Sequence, residues 1–236
     1  MQRLPEPELM DDPLQAQAYA AADFEASDAA FTQRILGHVA TIRPCHQSEA
    51  PPTIIDLGCG PGNISFRLAE ALPHANLLAV DGAAAMVDQG LARQRTDPQR
   101  WPRLHFHRSR LPLDPADLLP LPVDHQPPFQ LIVCNSLLHH LHDPSGLWST
   151  VKALAAPRAL LMLRDLRRPD TEDQLQQLVR LHAAQAPEIL RRDFSNSLRA
   201  AFTPEEVAIQ LREAGLETFA IQALEDRYLE VWGVLP

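Results

Sequence analysis

The sequence predicts one α/β domain: a mostly parallel sheet covered by helices on both faces, an antiparallel final pair of strands and an N-terminal helical cap. Three observations carry this reading. Short apolar runs alternate with helical segments from residue 53 to residue 163, three of the nine glycines fall within residues 58–62, and two further strand-like runs close the chain. Strands separated by helices build right-handed βαβ units, whose parallel sheet must be buried on both sides.

Residues 1–13 read as a loose tail. From Asp12 to Ile42 the pattern is helical, with Phe24, Phe31, Ile35 and Val39 at helical spacing and Asp28 and Gly37 as interruptions. Pro44–Pro52 is expected to be a linker. Thr53–Leu57 is a short buried strand that runs into the glycine cluster, and Asn63–Leu72 is a helix ending before Pro73. A second strand, Asn76–Val80, ends at Asp81-Gly82, and Ala83–Arg95 is the next helix. Leu104–His107 is a weaker third strand. Pro112–Pro128 is proline-rich loop with one helical turn. Phe129–Cys134 is a strong fourth strand and Pro144–Ala156 a helix. Ala159–Leu163 is the fifth strand, expected to end at Arg164-Asp165. Helices follow near 171–185, 187–193 and 204–214, the last with Thr203 as N-cap and Pro204 at the first helical position. Leu216–Ile221 and Tyr228–Leu235 complete the antiparallel pair. Residues 1–50 read as the cap and residues 51–236 as the main domain.

The composition excludes several function classes. With 236 residues, 45% of them hydrophobic, the chain is long enough to bury a sizeable core. A net charge of -9 argues against a nucleic-acid partner, which would need clustered positive charge. Cys45, Cys59 and Cys134 are too few and too scattered for a disulfide framework or a paired-cysteine zinc site. The N-terminal residues lack the apolar core of a signal peptide, and no apolar run approaches the ~18 residues of a membrane span. A cytoplasmic protein with no membrane partner is expected. The single lysine, Lys152, is flanked by Val151 and Ala153, so a Gly-Lys-Ser/Thr phosphate loop is absent. No Gly-x-Ser-x-Gly elbow occurs.

The chemistry centres on Ile54-Ile-Asp-Leu-Gly-Cys-Gly-Pro-Gly-Asn63. In an open parallel sheet, ligands bind beyond the carboxyl ends of the strands, where strand order reverses. A glycine turn there brings backbone close to a ligand, and the following helix presents free N–H groups. Asp56 and Asp81 would face that crevice. The spacing fails the dinucleotide fingerprint Gly-x-Gly-x-x-Gly whether it is counted from Gly58 or from Gly60.

Asp56-Leu-Gly58-Cys-Gly60-Pro-Gly62 instead resembles motif I of class I S-adenosylmethionine-dependent methyltransferases. Asp81 stands where that family places the acid that holds the ribose hydroxyls. Phe129–Asn135 and the following Ser136–Pro144 resemble the family's fourth-strand motif, and Tyr228–Leu235 its antiparallel seventh strand. The resemblance implies a Rossmann-like seven-stranded sheet, S-adenosylmethionine as cofactor and S-adenosylhomocysteine as product. Its implied cofactor site comprises Asp56, Gly58, Gly60, Gly62, Asn63, Asp81, Gly82, Met86, Ser109, Arg110 and Asn135. The family often has an acid after the third strand for the adenine; His107-Arg-Ser-Arg110 has none, which leaves Ser109 or a backbone group.

Other residues admit two readings. His139 or His140 could act as general base or orient an acceptor, or could simply be packed; metal ligation is not expected, since no carboxylate or thiolate lies at ligand spacing. Arg164 and Asp165 border the substrate side, or pair with Arg167 or Arg168 to fix a chain reversal. Arg192–Arg199, with Asn196, is a substrate lid or a surface loop. Tyr19 and Phe24 close over a sulfonium or pack the cap. The reaction expected is in-line methyl transfer to a small-molecule acceptor by a monomer or homodimer, resting mainly on alignment. The alternatives are a protein or RNA methyltransferase, favoured by a basic stripe of Arg191, Arg192 and Arg199, or a non-catalytic cofactor-binding regulator, favoured by a blocked crevice.

Overall fold

The computed structural model describes residues 1–42 and 51–236. Cys45 and most of the expected Pro44–Pro52 linker lie outside the described residues. Seven strands form one sheet: β1 (Thr53–Leu57), β2 (Asn76–Asp81), β3 (Leu104–Arg108), β4 (Phe129–Asn135), β5 (Ala155–Leu166), β6 (Ala220–Leu224) and β7 (Tyr228–Val234). Their order is β3-β2-β1-β4-β5-β7-β6, and β7 alone runs antiparallel to its neighbours. β1 pairs in parallel with β2 on one side and β4 on the other, so strand order reverses at the β1/β4 boundary. That boundary is where a ligand crevice forms in such sheets.

Alternation along the strands divides the core into two layers. Ile55, Leu57, Leu78, Val80, Ile132, Cys134, Leu161 and Leu163 face one side. There they meet Leu147, Trp148 and Val151 of α5 (Ser145–Leu154) and Val207 and Leu211 of α8 (Pro204–Glu213). Ile54, Leu77, Ala79, Leu131, Val133, Leu160 and Met162 face the other side. Their partners are Phe31 and Ile35 of α2 (Glu25–Ile42), Ile64, Phe66 and Leu68 of α3 (Asn63–Ala71), and Val87 of α4 (Ala84–Thr96). A third cluster joins Leu175, Leu178 and Val179 of α6 (Glu172–His182) to Leu198 of α7 (Glu188–Ala200). Capping boxes start α6 (Thr171 with Gln174) and α8 (Thr203 with Glu206, Pro204 leading). No described helix is long and apolar enough to cross a membrane.

Four boundaries differ from the sequence reading, each for a physical reason. The N-terminal helical pattern is two helices, α1 (Pro13–Ala20) and α2, because the chain turns at Ala21–Phe24; the Asp12 carboxylate caps α1. Arg164 and Asp165 lie inside β5, which continues to Leu166, rather than beyond its end. Arg192–Arg199 is helical rather than loop: it belongs to α7, whose Leu198 and Ala200 are buried. The run from Leu216 is a turn after Gly215 (φ +73°), with Leu216 and Phe219 buried, and β6 starts only at Ala220.

α2 is tied to β7, the strand next to the β6 edge, by an ion pair. Arg34 donates from Nε (2.7 Å) and from an Nη (2.5 Å) to the two oxygens of Glu230 on β7, whose side chain has no exposed surface. Replacing Arg34 by alanine is expected to cost about 3 kcal/mol in urea unfolding, because a buried carboxylate is left without its partner. Adding Glu230→Gln to that variant should restore part of the loss.

Candidate active site

β1 delivers Asp56 and then the glycine turn. Gly58, Gly60 and Gly62 all have positive φ (+70°, +55° and +86°), a region that L side chains rarely adopt. The turn is clamped onto the neighbouring strand: Gly58 and Cys59 donate their N–H to the Val80 carbonyl at 2.8 and 3.0 Å. A side chain at Gly58 would strike Leu137, and one at Gly62 would strike Phe106 and Phe66. A Cβ at Gly60 meets nothing within 4 Å, so the turn is open at that point.

Asp81, at the end of β2, closes the loop. Its Oδ2 accepts the Gly60 N–H and its Oδ1 the Ala83 N–H, both at 2.8 Å. Burial raises its pKa even though these bonds favour the charged form. Asp56 is more deeply buried. Its Oδ2 accepts from Ser65 Oγ at 2.6 Å, while Oδ1 is buried with no partner. Burial pushes its pKa up to about 7, the Ser65 bond opposing and the charges of Asp81 and Asp28 adding to the rise.

Two consecutive residues of β5 carry charge as well. Arg164 is buried and donates to Asn135 Oδ1 (2.9 Å), the Ser27 carbonyl (2.5 Å) and Asp28 Oδ1 (3.2 Å), with Phe31 and Tyr228 rings against it. Asp165 points to the opposite face and meets His139: its Oδ1 is bonded to Nδ1, and its Oδ2 accepts the His139 N–H at 3.3 Å. Neither residue pairs with Arg167 or Arg168; Arg168 instead binds Glu206 at 2.6 Å. His139 is buried, and Asp165 outweighs that burial to raise its pKa. His140 is lowered to about 3 by burial and by His139.

One cavity of about 1390 Å³ connects these parts. Of the sequence-predicted residues, Tyr19, Asp56, Gly58, Gly60, Asn63, Asp81, Gly82, Met86, Ser109, Arg110, Asn135, His139, His140 and Arg164 line it. Gly62 and Asp165 stand behind the wall, and Asn196 lies exposed on the outer side of α7. Tyr19 packs against Phe24 with ring centroids 4.9 Å apart, and both line the cavity.

Sequence reasoning missed Glu6 and Asp28. Glu6 comes from the tail, accepts from Ser197 Oγ at 2.9 Å, and sits with its Oε1 3.6 Å from His139 Nε2 and 3.4 Å from His140 Nδ1. Burial raises its pKa, against the pull of His139. No local signal marks Glu6. Asp28 did carry one: it falls in the stripe of Phe24, Phe31 and Ile35, and an acid on a core-facing stripe requires a partner.

Comparison with known proteins gives three results. Residues 55–161 match the family described as methyltransferase domain. A trans-aconitate 2-methyltransferase of Methylobacterium radiotolerans is 33% identical over 140 residues, 59% of this chain and 46% of that protein. A malonyl-[acyl-carrier protein] O-methyltransferase of Legionella pneumophila is 32% identical over 127 residues, 54% of this chain and 40% of that protein. The chain thus spans less than half the length of these curated relatives. Among solved structures, a SAM-dependent methyltransferase from Aquifex aeolicus superimposes with TM-score 0.62 at 15% identity, over 94% of this chain and 98% of that one. A plantazolicin methyltransferase in complex with a substrate analogue and SAH gives 0.62 at 12% identity, over 94% and 96%.

The unpartnered Asp56 has a measurable consequence. A carboxyl with a folded-state pKa near 7, against 3.8 for an ordinary aspartate, binds more protons folded than unfolded between those values. Stability therefore falls as pH rises from about 4 to about 7 and is level above, by of order 4 kcal/mol at most. Asp56→Asn cannot titrate. Its stability relative to wild type is expected to climb over that window in denaturant titrations; a flat difference would show that Asp56 is not buried as described.

Proposed function

We propose that this chain is a class I S-adenosylmethionine-dependent methyltransferase and that it transfers a methyl group to a small, non-anionic acceptor bound in the same cavity as the cofactor. The observation that carries this reading is the single cavity running from the glycine turn to the His139–His140 wall, wide enough for two ligands to meet.

The residues present fit the cofactor. Asp81 is fixed by two backbone bonds and keeps a second lone pair on each oxygen, so it can accept from both ribose hydroxyls. The open side of the turn at Gly60 admits ligand where a Cβ would stand. The unpartnered Oδ1 of Asp56 and the turn carbonyls suit an ammonium. Tyr19 and Phe24 offer aromatic faces to a sulfonium. Met86, Ser109 and Arg110 flank the adenine side, with Gly82 between them and the tail residue Leu9. When bound, the cofactor supplies an already activated methyl group, so the protein's main task is alignment.

Charge on the cavity wall supports a small non-anionic acceptor. Three described arginines line it. Arg164 is neutralised by Asp28, Arg227 lies against Asp226 and Glu225, and Arg110 stands beside Gly82 on the cofactor side. No free cation is therefore left among the described residues of the acceptor side to hold a carboxylate, unlike the substrate that the name of the Methylobacterium relative implies. Glu6, His139 and His140 form its polar wall, and an acceptor oxygen or nitrogen would approach there. Arg191, Arg192 and Arg199 each pair with an acid (Glu188, Asp193 and Glu172), so they form no basic stripe for RNA or an acidic protein. The crevice is also open rather than blocked, which favours an enzyme over a regulator.

Calorimetric titration with S-adenosylhomocysteine is expected to give micromolar binding, weakened at least tenfold, about 1.4 kcal/mol, in Asp81→Ala and in Gly60→Ala. Acceptors can then be screened by a mass gain of one methyl group, with neutral hydroxyl and amine compounds expected to react ahead of carboxylates. Absence of binding by the folded wild-type protein would end the methyltransferase reading.

A further inference from the structure

Glu6, His139 and His140 are, among the described residues, the one group whose donor atoms converge as metal ligands do, all lying within 4.8 Å of one another. We propose that they form a divalent-cation site of the zinc class, with two imidazoles and one carboxylate as ligands and a free coordination position on the cavity. The inference is independent of the methyltransferase reading, since it uses no cofactor contact.

Three features of the cluster suit an ion. The first is spacing: two ligand atoms each 2.0–2.1 Å from a tetrahedral ion stand about 3.4 Å apart. Glu6 Oε1 is 3.4 Å from His140 Nδ1 and 3.6 Å from His139 Nε2. Those separations are too long for good hydrogen bonds and right for a shared ion between them. The second is the unpartnered lone pair. His140 Nδ1 is buried and has no hydrogen-bond partner, a loss that a ligand at this point would make good.

The third is the way each ligand is held from behind. His139 is bonded through Nδ1 to Asp165, which leaves Nε2 directed at Glu6. The Pro7 backbone lies beside the His140 ring and favours its protonated form. The carboxylate of Glu6 is steadied by Ser197 Oγ at 2.9 Å. A carboxylate or carbonyl behind each imidazole is the arrangement that fixes the tautomer and orientation of metal-binding histidines. Two imidazoles and a carboxylate leave a tetrahedral ion one vacant position. His139 and His140 line the cavity, so that position faces the acceptor side.

The test is zinc binding by the purified full chain after chelator treatment, measured by competition with a chromophoric chelator, and the absorption spectrum with cobalt(II) in place of zinc. One equivalent should bind, with the intense visible bands of tetrahedral cobalt. Glu6→Gln and His140→Ala should each weaken zinc at least a hundredfold, and Asp165→Asn by ten- to a hundredfold. His74→Ala removes an exposed imidazole outside the cluster and should leave binding unchanged. Circular dichroism separates loss of ligand from loss of fold. Sub-stoichiometric binding, or binding indifferent to Glu6→Gln and His140→Ala, overturns the proposal. So does dependence on His74, which would mean a surface histidine is responsible. S-adenosylhomocysteine titration of the same samples keeps this outcome distinct from failure of the methyltransferase reading.

Discussion

A buried guanidinium is the constraint from which the architecture of the site follows. Arg164 stands in the middle of the sheet, and its N–H groups must all be satisfied because an unpaired buried charge costs several kcal/mol. Its Nε and both Nη atoms each find an acceptor on one of two other elements: Asn135 on β4, and the Ser27 carbonyl and Asp28 carboxylate on α2. Phe31 and Tyr228 close over the rest of the group. α2 is thereby held against the carboxyl half of the sheet, and the cavity is the space left between that helix, the glycine turn and the chain after β4. The charge of Arg164 is neutralised by Asp28 in this join.

The parts legible in sequence were those whose signal is local. β1 and its turn are a short strand with Ile54, Ile55 and Leu57 buried, followed at once by a cluster of three glycines that take positive φ. Asp81 is legible because the strand ends there, and the two chains of β1 and β2 run in register beside each other. Arg164 and Asp165 misled for the opposite reason: charged residues look like a strand end, yet their alternation sends one to each face, where each has a partner supplied by tertiary structure. α7 misled through composition. Asp193, Ser195, Asn196 and Ser197 have low helix propensity; the helix is held by packing of Leu198 and by bonds from Gln15 to Asp193 and from Ser197 to Glu6. Between Leu216 and Leu224 the apolar residues fit a turn or a strand equally well, and Gly215 decides the matter only through a positive φ that sequence does not display.

Asp28, Asp56 and Asp81 share a burial that raises the pKa of each, and they share it unequally. Asp28 has Arg164, and Asp81 has two backbone N–H groups. Asp56 has one hydroxyl for two oxygens. A neutral residue at Asp56 would relieve the strain of burying charge, so the position sacrifices stability in the free protein. A positively charged group placed beside Asp56 would recover that loss. An energetic defect of this kind at a ligand cavity is the expected signature of a site preorganised for charge rather than for packing.

The tail completes the cavity from the other direction. Arg3 donates to the carbonyls of Ala200, His139 and Leu141 and lies over the Phe202 ring, 3.8 Å from its centroid. These bonds hold the chain after β4 and the end of α7 together and set Glu6 opposite the histidines. A few residues on, Leu9 approaches Gly82 and Asp11 accepts the Ala85 N–H at 3.0 Å, so the same segment covers the cofactor side. One strand of chain thus walls both halves of the cavity. Its contacts are all remote in sequence, and a remote contact forms at the cost of closing a long loop. The acceptors that hold the segment, the carbonyls of His139 and Leu141 after β4 and of Ala200 on α7, are brought together only by the folded sheet and helices. The polar wall is therefore a product of the finished fold, which is why no stretch of the sequence, read alone, contains it.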